Sequence, residues 1–187
     1  MRNKVYVGLV HYPVYNKNND VVCTSVTNFD IHDISRTCRT YDIKNYFIIT
    51  PLEAQKELTG RIIGFWQDGE GVETNKNRNE AFEKTRLVDS IEECIKIITE
   101  VEGAEPKIIT TSAKIFDNSV DYESLSKEIY EDDAPYFLLF GTGWGLIDEV
   151  MDTSYKILNP IRGKTEYNHL SVRSAVSIIL DRLFGDE

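Results

Sequence analysis

Four short apolar runs recur along the chain and are separated by longer segments of mixed polarity. They occupy Lys4–Val10, Tyr46–Pro51, Lys107–Thr111 and Pro135–Phe140. Weaker runs of the same kind occupy Val21–Val26, Leu87–Val88 and Ser154–Leu158. Because all these runs are rich in β-branched and aromatic residues, they predict buried strands.

The segments between the runs have the spacing of amphipathic helices. Thr27 or Asn28 is placed to cap a helix that reaches Asp42, and Ser90 to cap a helix that Gly103 ends. The apolar face of this second helix comprises Ile91, Cys94, Ile95, Ile98 and Val101. Further helical segments are predicted over Leu52–Trp66, Tyr122–Tyr130, part of Glu80–Arg86, and from His169 onward. The polar, glycine-bearing stretch Asp68–Asn79 is predicted to be a mobile loop.

The alternation of strands and helices, without hairpin signals such as Asn-Gly, predicts an α/β fold. We expect a mainly parallel sheet of about five or six strands, flanked by helices. The 187 residues suit one domain spanning 1–187. Ligands of such sheets bind beyond the carboxyl ends of the strands, where Thr50–Pro51, Thr110–Thr111 and Gly141 lie.

Composition narrows the class of protein. Hydrophobic residues make up 41% of the chain, yet no apolar run approaches the roughly 20 residues of a membrane span. Met1–Gly8 goes straight into a strand pattern and lacks the features of a signal peptide. The 3 cysteines have no metal-like spacing and indicate a reducing cytoplasm. The 3 histidines are scattered, which argues against a metal centre.

The formal net charge of -10 argues against broad, non-specific binding of nucleic acid, which needs a basic surface. A local basic patch is compatible with that charge if the fold assembles one. Its candidate members are Arg36, Arg39, Arg162, Lys164 and Arg173. The competing interpretation is that these are separate, solvated surface charges.

A glycine turn, Gly141–Gly145, follows the last strong apolar run. Glycines there let the backbone approach a ligand closely, so this turn and the later Pro160–Gly163 turn favour a pocket lined mostly by main chain. An ordinary strand-to-helix connection is an alternative. A second alternative is the dinucleotide fingerprint of an oxidoreductase, which requires a third glycine where Leu146 stands.

Two segments of the chain match sequence motifs of a known protein superfamily. Arg36-Thr37-Cys38 matches an arginine motif on a helix, with Asp30 where an asparagine is usual. Phe140–Leu146 matches a glycine motif that ends an apolar strand, but it is one residue shorter and lacks a glutamate. With the C-terminal segment described next, these motifs resemble the SPOUT superfamily of RNA methyltransferases, the α/β-knot enzymes, and most closely its SpoU-like branch.

The third motif lies near the C-terminus. His169–Ala175 is similar to the last SpoU-like motif, with Ser171 in place of its key asparagine. The preceding Pro160-Ile161 reverses the usual order of the two residues. The three motifs occur in the right order between Asn28 and Leu180. The pattern also resembles a family of predicted knotted RNA methyltransferases related to the tRNA guanine-N1 enzymes.

The resemblance implies a C-terminal trefoil knot that binds S-adenosylmethionine (SAM), an RNA substrate such as tRNA or rRNA, and a homodimer whose subunits share the active site. It requires no metal. The implied cofactor-binding residues are Thr111, Phe140, Gly141, Thr142, Gly143, Gly145, Leu146, Ile161, Leu170 and Ser171. The implied catalytic residues are Arg36, Asp30 and His169. Arg36, Arg39 and Arg173 are the implied substrate-binding residues.

Several alternatives stay open for these residues. Ile161 and Leu170 also suit core packing, and Arg36 also suits a surface ion pair with Asp33 or Asp30. Because the departures from the family motifs fall at catalytic positions, a SAM- and RNA-binding protein without catalysis is the second functional hypothesis. A nucleotide-dependent oxidoreductase is the third.

Overall fold

The computed structural model describes residues 4–186, so residues 1–3 and 187 of the predicted domain lie outside the described part. The strands are β1 (Val5–Val10), β2 (Val14–Tyr15), β3 (Val21–Val22), β4 (Asn45–Ile49), β5 (Thr85–Val88), β6 (Lys107–Thr111), β7 (Ser119–Val120), β8 (Tyr136–Gly141) and β9 (Lys156–Leu158). The helices are α1 (Asn28–Thr40), α2 (Glu53–Gln67), α3 (Gly71–Thr74), α4 (Lys76–Phe82), α5 (Ile91–Glu102), α6 (Tyr122–Glu131), α7 (Asp148–Asp152) and α8 (Val172–Phe184).

Seven strands form one parallel sheet in the order β5-β4-β1-β8-β6-β9-β7. In its interior, Val10 of β1 pairs with Ile49 of β4 on one side and Gly141 of β8 on the other. This confirms the predicted α/β class with a mainly parallel sheet. The expectation of about five or six strands was too low, because the two residues of β7 are too few to leave a sequence pattern.

β2 and β3 form a separate antiparallel hairpin, which the sequence analysis did not predict. Its turn contains no Asn-Gly pair. Instead, the Asn16 side chain accepts hydrogen bonds from the backbone N–H groups of Asn18 and Asp20, at 2.7 and 3.0 Å. Asn19 adopts a φ of 63°, which asparagine tolerates better than most residues. The predicted strand Val21–Val26 therefore shrinks to Val21–Val22.

The interior strand β1 supplies side chains to both helical layers, because successive residues of a strand point to opposite faces. Val5, Val7 and Leu9 pack in the core that includes residues of α1, α6 and α8. Tyr6 and Val10 pack in the core that includes residues of α5 and α7. All six residues of β1 are buried, as expected of a strand covered on both faces.

α1 and α5 begin where the sequence predicts. The Thr27 hydroxyl accepts a hydrogen bond from the Asp30 N–H, and the Ser90 hydroxyl accepts one from the Glu93 N–H, each at 3.2 Å. Gly103 ends α5 in the left-handed region, with a φ of 74°. Each cap satisfies a backbone group that the helix leaves unpaired.

The prediction that Val101 belongs to the buried face of α5 was wrong, since Val101 is 56% exposed. Glu102 takes the inward position in the last turn. Its carboxylate accepts a hydrogen bond from the Tyr6 hydroxyl at 2.6 Å and pairs with Lys44. Glu102 therefore points inward instead of Val101, because its carboxylate pairs with the buried Tyr6 hydroxyl and the Lys44 ammonium group.

Much of the predicted loop Asp68–Asn79 is helical, because α3 and the first half of α4 lie within it. Its asparagines stabilise helices here. Asn75 caps α4 by accepting a hydrogen bond from the Arg78 N–H at 3.0 Å. The Asn79 side chain donates to the Trp66 carbonyl at 2.8 Å. Asparagine favours both helix caps and loops, so its presence in the sequence does not distinguish short capped helices from a loop.

Candidate functional site

Three loops meet at the carboxyl edge of the sheet. Because β8, β6 and β9 are consecutive neighbours, the segments that follow them, 142–147, 112–118 and 159–171, emerge side by side. The Asn168 side chain donates a hydrogen bond to the Ala113 carbonyl at 2.7 Å and ties the third loop to the second. The predicted cofactor-binding residues therefore gather at one edge of the sheet.

The glycine turn is covered by the hairpin of β2 and β3. The Trp144 N–H donates to the Tyr15 carbonyl at 2.9 Å, and the Tyr15 N–H donates to the Gly145 carbonyl at 3.0 Å. Gly143 adopts a φ of 59°, and a Cβ added there would lie 2.9 Å from the Tyr15 carbonyl oxygen. The positive φ of Gly143 and its lack of a Cβ thus allow the Tyr15 carbonyl to approach the turn closely.

Three of the predicted cofactor-binding residues contribute side chains to the cores. Phe140 and Leu146 are 1% and 6% exposed and belong to the two opposite core clusters. Ile161 is partly buried against the first of these clusters. The core-packing interpretation is therefore confirmed for Ile161. Phe140 and Leu146 are left with backbone groups to offer a ligand.

The segment before α8 is open to solvent. Leu170 is 44% exposed, so the core-packing interpretation of this residue was wrong. The Ser171 hydroxyl contacts the Ser174 hydroxyl at 2.9 Å. The ring of His169 is exposed and lies 5.6 Å from that of Tyr167. These side chains are free to contact a ligand.

Asp30 and Arg173 pair with each other across the α1–α8 contact. Arg173 Nη1 lies 3.4 Å from an Asp30 carboxylate oxygen, and its Nε lies 3.5 Å from one of Asp33. Asp30 is 5% exposed and also accepts a hydrogen bond from the Thr27 hydroxyl at 2.6 Å. A predicted catalytic carboxylate is thus held by a predicted substrate-binding arginine. This arrangement favours a structural contribution from both.

Arg36 is exposed in a groove between α1 and α8. The alternative interpretation of Arg36, an ion pair with Asp33 or Asp30, was wrong, and Arg173 contacts both carboxylates instead. Arg36 forms no ion pair with any residue from 4 to 186. It lies two turns beyond Asn28 at the start of α1, about 12 Å along the helix axis from the carboxyl edge.

Only part of the predicted basic patch is available to bind an external anion. Arg39 Nε donates to the Glu80 carboxylate at 3.0 Å, so its guanidinium is engaged on α4. Arg173 is engaged with Asp30, as described above. Arg162 and Lys164 are exposed in the loop before α8. Arg36, Arg162 and Lys164 are therefore the members of the patch that form no ion pair with a carboxylate among residues 4–186.

Replacing Arg173 by Ala is expected to lower stability, because the Asp30 carboxylate would stay buried without its cation. Since the Arg173 side chain is 39% exposed, we expect a loss of about 1 kcal/mol. Thermal denaturation measures this loss. In an Asp30→Asn background the same replacement should cost much less, and an equal loss in both backgrounds would contradict the pairing.

A buried polar cluster that the sequence motifs do not predict lies at the carboxyl end of β1. His11 is 0% exposed, and its Nδ1 lies 3.0 Å from the Thr24 hydroxyl. The Thr24 hydroxyl lies 2.5 Å from that of Thr142 in the glycine turn. The available signal was a histidine directly after the run Lys4–Val10, since a polar residue there lies at the ligand edge. Nothing in the sequence marks Thr24.

Within residues 4–186, no group of three or more His, Cys, Asp or Glu side chains is placed to hold a metal ion. Cys38 and Cys94 are buried, Cys23 is partly exposed, and all three thiols are free. Over the same range, none of the helices combines the length and apolarity needed to cross a bilayer.

A family model described as "SAM-dependent RNA methyltransferase" matches residues 4–185. The chain belongs to this family. Membership confirms the class of enzyme and the SAM cofactor that the sequence motifs implied.

Two curated relatives match nearly the whole of this chain. An uncharacterized protein of Aquifex aeolicus is 40% identical over 99% of this chain and 90% of its own length. A protein of Oleidesulfovibrio alaskensis named tRNA (guanine-N(1)-)-methyltransferase is 43% identical over 97% of this chain. The chain spans only 42% of the length of that relative.

Solved structures confirm the fold. The SpoU methyltransferase AviRb from Streptomyces viridochromogenes superposes with a TM-score of 0.60 at 12% identity. The alignment covers 98% of this chain and 60% of that one. The SpoU-like resemblance drawn from three imperfect motifs is therefore correct at the level of the fold.

Proposed function

We propose that this family member transfers the methyl group of SAM to a nucleotide of a structured RNA in the cytoplasm. The observation that carries the proposal is the meeting of loops 112–118, 142–147 and 159–171 at the carboxyl edge of the sheet. Membership of an RNA methyltransferase family gives that edge its chemistry. The name of the longer relative favours tRNA as the first substrate to test, with rRNA as the second.

The residues at this edge fit the cofactor. When bound, SAM supplies a methyl group on a sulfonium, whose transfer needs a close, aligned acceptor that loses a proton. Backbone carbonyls of Gly141, Gly145 and Leu170 are proposed to accept hydrogen bonds from the adenine amino group, since the N–H groups of Gly145 and Leu170 already donate to Thr142 and Asn168. The hydroxyls of Thr111 and Thr142 already donate to the carbonyls of Leu139 and Val10, at 3.0 and 2.9 Å. Their oxygens are left to accept hydrogen bonds from the ribose or the ammonium group of SAM.

The substrate side of the site is proposed to come from a second copy of the chain. Arg36 lies about 12 Å along α1 from the carboxyl edge of its own sheet, measured from Asn28. Its groove between α1 and α8 faces solvent. A partner seated in this groove would bring its own three loops to Arg36, in line with the shared active site that the family resemblance implies.

A homodimer is therefore expected in solution. Sedimentation velocity at micromolar concentration should give about twice the monomer mass of 21.5 kDa. Replacing Ile178, which lines the groove, with Glu should shift the protein towards monomer. Lys96→Glu on the exposed face of α5 is the matched control and should remain dimeric. A wild-type monomer would refute the dimer.

The trefoil knot also remains a prediction. It is supported by the bonds that tie the segment 159–171 to its surroundings, from the Asn159 N–H to the Val120 carbonyl at 2.9 Å and from Asn168 to Ala113. A crystal structure whose terminal helix does not pass through a loop of the chain would refute it.

Two measurements test the proposed function. Calorimetry should detect SAM binding and no NADH binding; the reverse would favour the oxidoreductase hypothesis. A tritiated-methyl assay on unmodified tRNA and rRNA should then detect transfer. SAM and RNA binding without transfer to either RNA would favour the non-catalytic binding protein.

A further inference from the structure

A buried hydrogen-bond chain joins the carboxyl end of β1 to the glycine turn. It runs from His11 Nδ1 to the Thr24 hydroxyl (3.0 Å), on to the Thr142 hydroxyl (2.5 Å), and ends at the Val10 carbonyl (2.9 Å). The Thr24 N–H also donates to the His11 carbonyl at 2.9 Å. Residues from three separate parts of the sequence are thus held by one continuous chain of hydrogen bonds.

Only one placement of the hydrogens satisfies all three contacts. A carbonyl accepts but never donates, so the Thr142 hydroxyl donates its single hydrogen to the Val10 carbonyl. The hydrogen between the two threonines must then come from Thr24. Thr24 has none left for the imidazole, so His11 Nδ1 carries the proton and donates it.

The other ring nitrogen is an acceptor without a partner. His11 Nε2 is buried and makes no hydrogen bond with any residue from 4 to 186. Burial lowers the pKa of His11 to about 4, against an opposing effect of Asp30, so the ring is neutral at physiological pH. An unpaired buried acceptor costs stability that an apolar side chain would avoid. The benefit of histidine at this position therefore lies in its Nδ1 donor.

We propose that His11 is a positioning residue for methyl transfer, which fixes the glycine turn for the cofactor through Thr24 and Thr142. The inference rests on the proposed function, because it takes the turn as part of the SAM pocket. The Thr24 methyl group also lies over Gly143, 3.3 Å from the position of an added Cβ, beside the Tyr15 carbonyl oxygen of the hairpin at 2.9 Å. Removing the middle hydroxyl would free the turn on the side where the hairpin covers it.

The test replaces single groups of the chain. Thr24→Val keeps the side-chain shape and removes the hydroxyl, and His11→Leu removes the donor. Each is expected to weaken SAM binding by about tenfold in calorimetry. His11→Asn restores a donor near the Nδ1 position and should recover most of the affinity. In the protein without SAM, amide exchange of residues 141–147 should rise in Thr24→Val and His11→Leu, but not in His11→Asn.

Thr85→Val is the matched control. It removes another buried hydroxyl of the sheet, which contacts the Ser35 hydroxyl at 2.8 Å, far from the turn. It should lower the melting temperature without changing SAM affinity or exchange of the turn. A folded Thr24→Val protein with wild-type affinity and wild-type exchange would overturn the inference, as would a His11→Asn protein as weak as His11→Leu. If wild-type protein bound no SAM, the proposed function would fail. Amide exchange would then still test whether His11 orders the glycine turn.

Discussion

Replacing Arg36 by Ala is expected to slow methyl transfer by about ten- to a hundredfold while leaving SAM affinity nearly unchanged. The guanidinium is exposed and forms no ion pair with any residue from 4 to 186. It is therefore free to hold an RNA phosphate, a charge-assisted contact worth roughly 1.5–3 kcal/mol. Arg36→Lys should recover only part of the rate, because lysine lacks the bidentate fork.

Single-turnover transfer to RNA and calorimetry with SAM separate the two effects. Arg61→Ala, at another exposed arginine on α2, is the control and should keep the wild-type rate. Loss of SAM binding in Arg36→Ala, or an unchanged rate, would contradict the assignment to the substrate. Mixing Arg36→Ala chains with chains damaged at the cofactor turn should restore activity, if each site is built from two copies.

Replacing Gly143 by Val is expected to weaken SAM binding by at least about tenfold. The structure gives this prediction a physical cause within the chain. The new Cβ would lie 2.9 Å from the Tyr15 carbonyl oxygen, at a φ of 59° that a β-branched residue rarely adopts. The turn and the hairpin would have to separate, and the melting temperature should fall as well.

Gly64→Ala on α2 is the matched control, because an added Cβ there meets nothing within 4 Å. It should leave SAM affinity unchanged and preserve or raise stability, since alanine favours helix. A folded Gly143→Val protein with unaltered SAM affinity would count against placing the cofactor at this turn.

The regular elements were predictable because their signals are local. The run Lys4–Val10 and the cap at Ser90 each depend on residues close together in the sequence, and the structure places β1 and α5 there. The glycine turn was found for the same reason. Its partner was not, because the hairpin that covers it is set by an asparagine side chain, Asn16, in a turn without glycine.

The contacts that decide the roles of site residues are long-range. Asp30 and Arg173 are 143 positions apart, and neither one predicts that their side chains pair with each other. The same holds for Thr24 and Thr142, 118 positions apart. The glycine motif and the C-terminal motif lie at the carboxyl edge of the sheet, but the contacts of each side chain depend on neighbours that no local pattern specifies.

The place of β1 between β4 and β8 also determines how the chain folds during synthesis. β4 and β5 leave the ribosome soon after β1 and can pair along one side of it. The other edge of β1 stays unpaired until Tyr136–Gly141 has been synthesised. At roughly 5–20 residues per second, this apolar strand edge stays open for several seconds. An open edge pairs readily with other chains, so nascent chains that stop before Tyr136 are expected to aggregate, and chaperones that shield the edge should raise the yield of folded protein.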